Sequence, residues 1–285
     1  MPVYKNYDQA ALNLQYNNRM AVPDHERHLE QWESLSRSTE RNVPHTKDIV
    51  YGSHPRERLD FYPSKQPGSG IMVFIHGGYW YKMDKSDFLF VAEGFSLLGL
   101  STALISYPLA PEATMDDIVA SCRRAIKWVV SHSSKLNEDE NNIYVSGHSA
   151  GGHLAAMMMA QENGEPTIPQ EVIKGCIALS GLHNLEPIML SERNEVLSMD
   201  PEMAMRNSPV QQVPANDHPL IAAVGADETN EYLAQSQELS QQWSSNRKTA
   251  TYLPLVGINH FSIVETLLDQ ESQLYQATHQ MIQTN

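Results

Sequence analysis

Short apolar runs alternate along this chain with longer stretches in which apolar positions recur every three or four residues. The runs at 71–75, 100–106, 142–146, 172–179, 219–225 and 248–254 predict strands. Several are apolar without interruption, the pattern of strands covered on both faces rather than on one. The segments 48–51 and 58–62 predict a hairpin-like pair, with Gly52 and Pro55 in the connection. Residues 88–98 suit a crossover helix. In 116–132, Ile118, Cys122, Ile126 and Val129 share one helical face while Arg123, Arg124 and Lys127 lie elsewhere, which predicts a helix packed on a sheet with its basic residues in solvent. Residues 154–160 are apolar all round and predict a central helix with methionines as core filler. Helices are also expected at 230–244 and, as one long amphipathic element, at 260–283.

Strand and helix in alternation, with short connections, predict the α/β class: a mostly parallel central sheet with helices on both faces. There is no repeat or low-complexity tract. The expected organisation is a main domain over 43–285 preceded by a polar, partly helical extension over 1–42, with Tyr4, Tyr7, Leu12, Leu14 and Tyr16 as its anchors. Residues 183–213, which carry several prolines and methionines, read as a small cap insertion.

At 285 residues and 41% hydrophobic, the chain is long enough to bury a sizeable core. Its net charge of −14 disfavours nucleic acid and anionic membrane surfaces as partners. Cys122 and Cys176 fall on a helix and a strand and are expected to be buried thiols rather than a disulfide. The polar N-terminus lacks an apolar signal core and no run reaches the length of a membrane span, so a cytoplasmic protein is expected.

The chemistry concentrates at strand ends. Gly147-His148-Ser149-Ala150-Gly151 lies between the strand at 142–146 and a helix starting near Gly152. This is the pattern of a nucleophile elbow, in which a strained turn projects the serine Oγ and the flanking glycines remove Cβ atoms that would clash. His76-Gly77-Gly78-Tyr79-Trp80 follows the strand at 71–75 and can aim backbone N–H groups at the serine. Gly77 or Gly78, with Ala150, would then form an oxyanion hole, and the His76 side chain would be structural. The acid and base should follow in that order after late strands. Asp227, nearer the end of the strand at 219–225, is the expected acid, with Glu228 its close rival. His260, after the next strand, is the expected base. His148 and His153 flank the serine too closely to turn back on it. His25 and His28 form an H-x-x-H without a ligand cluster and read as surface. His132, His183, His218 and His279 lack the position or the order.

Taken together, H-G-G-Y-W at 76–80, G-H-S-A-G-G-H-L at 147–154, V-G-A-D-E at 224–228 and N-H-F at 259–261 resemble the arylformamidase (kynurenine formamidase) and esterase family of the α/β-hydrolase superfamily. The resemblance runs from about residue 45 onward. Tyr79 and His148 stand where hormone-sensitive-lipase-like esterases carry Gly and Asp, which points to the formamidase branch. The resemblance implies a serine hydrolase with the triad Ser149, Asp227 and His260, acting through an acyl-serine and needing no metal or organic cofactor. It suggests Tyr79, Trp80, Leu182 and Phe261 as pocket wall. The expected partner is a small-molecule ester or formamide such as N-formylkynurenine, with no nucleic acid and no membrane; a homodimer is compatible with the sequence. A carboxylesterase for small acyl or aryl esters is the alternative, and a non-catalytic binding protein on the same scaffold is a further one.

Overall fold

The continuous apolar runs become strands because both of their faces are covered. The computed structural model describes residues 1–65, 68, 70–162, 167–169, 171–244 and 250–284. Helices α1 (Gln9–Gln15), α2 (Asn18–Ala21) and α3 (His25–Asn42) precede strands β1 (Thr46–Val50), β2 (Arg58–Tyr62) and β3 (Ile71–Ile75). Then come α4 (Val91–Leu97), β4 (Ser101–Ile105), α5 (Met115–His132), β5 (Ile143–His148), α6 (Ala150–Met159) and β6 (Ile173–Leu179). Three short helices, α7 (Glu186–Met189), α8 (Asn194–Leu197) and α9 (Pro201–Arg206), lead to β7 (Leu220–Gly225), α10 (Asn230–Ser244), β8 (Ala250–Leu255), α11 (Ser262–Glu265) and α12 (Gln273–Thr284).

Among the described residues the strands form one eight-stranded sheet in the order β1-β2-β4-β3-β5-β6-β7-β8. The two pairings made by β2 are antiparallel and the others parallel. Successive side chains of a strand point to opposite faces. Accordingly Ile71, Val73 and Ile75 of β3 join one buried cluster with residues of α5, α6 and α10, and Met72 and Phe74 join a second with residues of α4 and α12. The fold is thus of the α/β class that the alternation predicts, and of the α/β-hydrolase type that the motif resemblance implies. The chain leaves β3 for β4 on one side and returns past it to β5 on the other. The crevice beyond the carboxyl ends of β3 and β5 is therefore the switch point at which such sheets bind ligands.

Residues 248 and 249 of the expected last strand lie outside the described residues. The expected long helix at 260–283 is instead α11, a short 3-10 turn and α12. Ser272 Oγ accepts the Tyr275 N–H at 3.0 Å, so the second helix has its own N-terminal cap. In the first 42 residues Leu12 and Tyr16 enter one core cluster and Trp32 the other, whereas Leu14 is half exposed and anchors nothing. Arg123 and Arg124 do not simply face solvent: they pair with Glu162 and Glu57. Among the described residues no helix is long and apolar enough to cross a membrane.

Candidate active site

Ser149 stands between β5 and α6 with φ 58° and ψ −118°, a region that a non-glycine residue enters only under strain. Its surroundings hold it there. The Ser149 N–H donates to the Leu179 carbonyl (2.8 Å), and the Ser149 carbonyl accepts the His153 N–H of α6 (3.1 Å). A Cβ on Gly151 would lie 1.9 Å from the Ile75 carbonyl oxygen, and one on Gly147 would lie 2.2 Å from that of Gly151. The two glycines therefore let the elbow press against the end of β3. Helix α6 starts at Ala150 rather than near Gly152, so its free N-terminal N–H groups begin directly after the serine.

The 76–80 loop faces the elbow. A Cβ on Gly77 would sit 2.9 Å from the His148 carbonyl oxygen and 3.3 Å from Ser149 Cβ. His76 is fully buried, donates from Nδ1 to the Gly77 carbonyl (2.8 Å) and stacks on Tyr107 with ring centroids 4.3 Å apart. Burial pushes its pKa down to about 4, so at neutral pH the ring is an uncharged brace for the Gly77 peptide. Gly78 has φ 105°, and Tyr79 and Trp80 also have positive φ. The N–H groups of Gly77, Gly78 and Ala150 have no acceptor among the described residues.

His260 follows the turn after β8, and its Nδ1 donates to Glu228 Oε2 at 2.7 Å. The other oxygen, Oε1, accepts the Ser180 hydroxyl (2.5 Å) and the Gly225 N–H (2.7 Å). The expected acid, Asp227, is corrected by this geometry. Its backbone N–H bonds the Ile258 carbonyl at 3.1 Å and its side chain is exposed, whereas Glu228, one residue on, points inward. A carboxylate bound by three donors is a fixed acceptor for the imidazole.

His148 has a part that its position beside the serine hid. Its Nε2 donates to the His260 carbonyl at 2.8 Å, the two ring centroids are 4.7 Å apart, and the edge of Trp32 meets the His148 ring. Burial, reinforced by the nearby His260, drives the His148 pKa well below the usual histidine value and keeps the ring neutral. His25 and His28 are only partly exposed and lie against the Phe261 ring, and His28 Nδ1 is 3.2 Å from Glu265. They are not the free surface pair expected. Among the described residues no cluster of His, Cys, Asp and Glu could hold a metal ion.

Ser149, His148 and His260 open into one cavity of about 300 Å³, walled by Trp32, Tyr79, Tyr81 and Phe261 and bordered by Arg19, Lys82 and Arg193. Of the four expected wall residues, Tyr79 and Phe261 are there, and Trp80 and Leu182 are not. Trp80 is fully buried, sets its ring edge-on to His153 and donates its indole N–H to His153 Nδ1 (3.1 Å). Leu182 is likewise fully buried in the same core cluster. Tyr79 is fixed by its hydroxyl, which donates to the Tyr16 carbonyl (2.6 Å) and lies 2.8 Å from that of Tyr232. Asn18 Nδ2 in turn donates to Tyr232 (2.9 Å). The N-terminal segment thus supplies Asn18, Arg19 and Trp32 to the cavity, and the 183–213 segment supplies Arg193. No strand-end position or motif marks any of these four in the sequence.

A family model, BD-FAE, matches residues 59–243. Kynurenine formamidase of Danio rerio is 30% identical, with 99% of each chain covered. Isoprenylcysteine alpha-carbonyl methylesterase ICME of Arabidopsis thaliana is 34% identical over 49% of this chain and 34% of the relative. Among solved structures, one from Silicibacter sp. TM1040, provisionally assigned as a thioesterase, superposes with a TM-score of 0.82 at 28% identity, covering 93% of this chain and 97% of that one. With the family model matched over 59–243 and a kynurenine formamidase aligned over 99% of both chains, the chain belongs to the BD-FAE family and is a serine hydrolase of the arylformamidase or esterase type.

Proposed function

We propose that the chain is an arylformamidase that cleaves an N-formylated arylamine of the N-formylkynurenine kind, with Ser149 as nucleophile, His260 as base and Glu228 as the acid that holds it. One observation carries this reading: the serine, the histidine and aromatic walls meet in a single cavity of about 300 Å³. That volume is at the low end for small-molecule sites, which suits a formyl group and one substituted ring and leaves little space for a long acyl chain. The full-length likeness to a protein named kynurenine formamidase supports the same choice.

In this mechanism His260 Nε2 takes the Ser149 proton as Oγ attacks the formyl carbon, while Glu228 fixes the tautomer and stabilises the imidazolium. The oxyanion is met by N–H groups of Gly77 or Gly78 and Ala150, which need no reorganisation because His76 and the α6 N-terminus already hold them. His260 then protonates the departing arylamine nitrogen, the C–N bond breaks and a formyl-serine remains. Water activated by His260 releases formate. Residues 1–42 act in this reading as an extension packed on the hydrolase body at 43–285, and 183–213 as a small cap.

Comparing kcat/KM for N-formylkynurenine with that for p-nitrophenyl acetate tests the substrate. A value at least tenfold higher for the formamide supports the proposal. Turnover of the acetate with none of the formamide overturns it in favour of a carboxylesterase.

A further inference from the structure

The protein carries a net charge of −14, yet among the described residues three cations, Arg19, Lys82 and Arg193, border the candidate cavity against a single acidic side chain, Glu192. This local reversal of sign is the kind that draws an anion into a cleft. Of the three, Arg193 is the one held in place. Its guanidinium lies over the Tyr79 ring, 4.8 Å from the centroid, donates from Nη1 to the Tyr81 hydroxyl (3.1 Å) and from Nη2 to the Tyr16 carbonyl (3.3 Å). These contacts orient the charge without neutralising it. One carboxylate, that of the half-exposed Glu192, makes a long ion pair with Nη2 at 3.8 Å. The Arg193 Nε is buried with no hydrogen-bond partner among the described residues. A planar cation held chiefly by neutral groups and by one long ion pair, with donor capacity to spare at a cavity wall, matches carboxylate recognition.

We propose that Arg193 is a substrate-binding residue that receives a carboxylate carried by the leaving group. Resting on the formamidase reading, the assignment follows from size: a formyl acyl group occupies almost none of the cavity, so whatever reaches Arg193 belongs to the arylamine side. Arg19 and Lys82 are exposed and supply long-range attraction rather than a fixed contact.

The test is a selectivity ratio: kcat/KM for N-formylkynurenine over kcat/KM for its side-chain carboxamide, in which an uncharged amide replaces the carboxylate and the α-amino group is kept. Both substrates are measured on one enzyme preparation, so the ratio does not depend on how much of a variant is folded. A charge-assisted contact predicts a wild-type ratio of roughly 10 to 100. In Arg193→Met the ratio should fall to about 1, with Arg193→Lys between the two, because lysine keeps the charge and loses the fork. A wild-type ratio near 1, or a ratio unchanged in both variants, overturns the proposal. Should the enzyme cleave aryl esters and no formamide, the formamidase reading fails by itself. Arg193 is then judged by the same ratio for 4-acetoxybenzoate over 4-acetoxybenzamide, with the same two outcomes.

Discussion

Replacing Glu228 by Gln separates the two neighbouring acids with one oxygen-to-nitrogen change. The Gly225 N–H and the Ser180 hydroxyl both bond Oε1, at 2.7 and 2.5 Å. In the variant they hold the amide oxygen at that position and turn the NH₂ toward His260. Where Oε2 accepted the His260 Nδ1–H at 2.7 Å, a donor would now face a donor. The imidazole relieves this by moving its proton to Nε2, the nitrogen that in the proposed mechanism must be bare to accept the Ser149 proton. In other hydrolase triads the equivalent acid-to-amide change costs about 10⁴-fold in kcat, equal to about 5 kcal/mol of barrier. The same loss is expected here. Asp227→Asn, at an exposed side chain, should stay within about twofold of the parent. The assay is initial-rate kinetics on p-nitrophenyl acetate and N-formylkynurenine, with thermal unfolding followed on the same samples. A Glu228→Gln enzyme keeping more than a tenth of parental kcat, or an Asp227→Asn enzyme losing a thousandfold, would refute the assignment.

Two further outcomes follow from burial. Trp80→Ala should cost about 3 to 5 kcal/mol of stability and lower kcat/KM equally for aryl and alkyl esters, because Trp80 packs on His153 in the core and not on substrate; a selective loss on aryl substrates in folded protein would return it to the pocket. Acid should destabilise the fold through His153 and His183, whose pKa values burial pushes down to about 4 and about 3. Between those values and the unfolded value of ~6.5, the unfolded chain binds the extra protons. The stability is complete above pH ~6.5 and falls as pH drops through this window, by roughly 3 kcal/mol from His153 alone at pH 4. Urea midpoints that do not change from pH 7 to pH 4 would contradict this.

The centre of the sheet could be read from the sequence because β3, β4, β5 and β7 are buried along their whole length, and an uninterrupted apolar run such as 71–75 has few other uses. The elbow could be read because the clash of a Gly151 Cβ with the Ile75 carbonyl allows only glycine there. The carboxylate that meets His260 lies one residue beyond the expected Asp227 for a reason that strand periodicity does not contain. The alternation of faces ends with β7 at Gly225, and the turn that follows sends Asp227 out and Glu228 in. Trp80 was misplaced in the same way: Tyr79 and Trp80 both have positive φ, so strand alternation does not hold there, and Tyr79 lines the cavity while Trp80 is buried on His153. The break before α12 had a signal, the capping Ser272 with Asp269 ahead of it, which a continuous amphipathic pattern obscured. Arg193, Asn18 and Trp32 reach the cavity from segments far from any motif, and only the tertiary structure brings them there.

Ser149 is the residue proposed to carry the acyl group. Incubation with a fluorophosphonate probe, followed by peptide mass spectrometry, tests it directly. One probe should attach per chain, on the peptide containing Ser149, with loss of turnover in step with labelling, and Ser149→Ala should take up no label and lose turnover while remaining folded. Label on another residue, or a folded Ser149→Ala enzyme that turns over substrate at the parental rate, would contradict it.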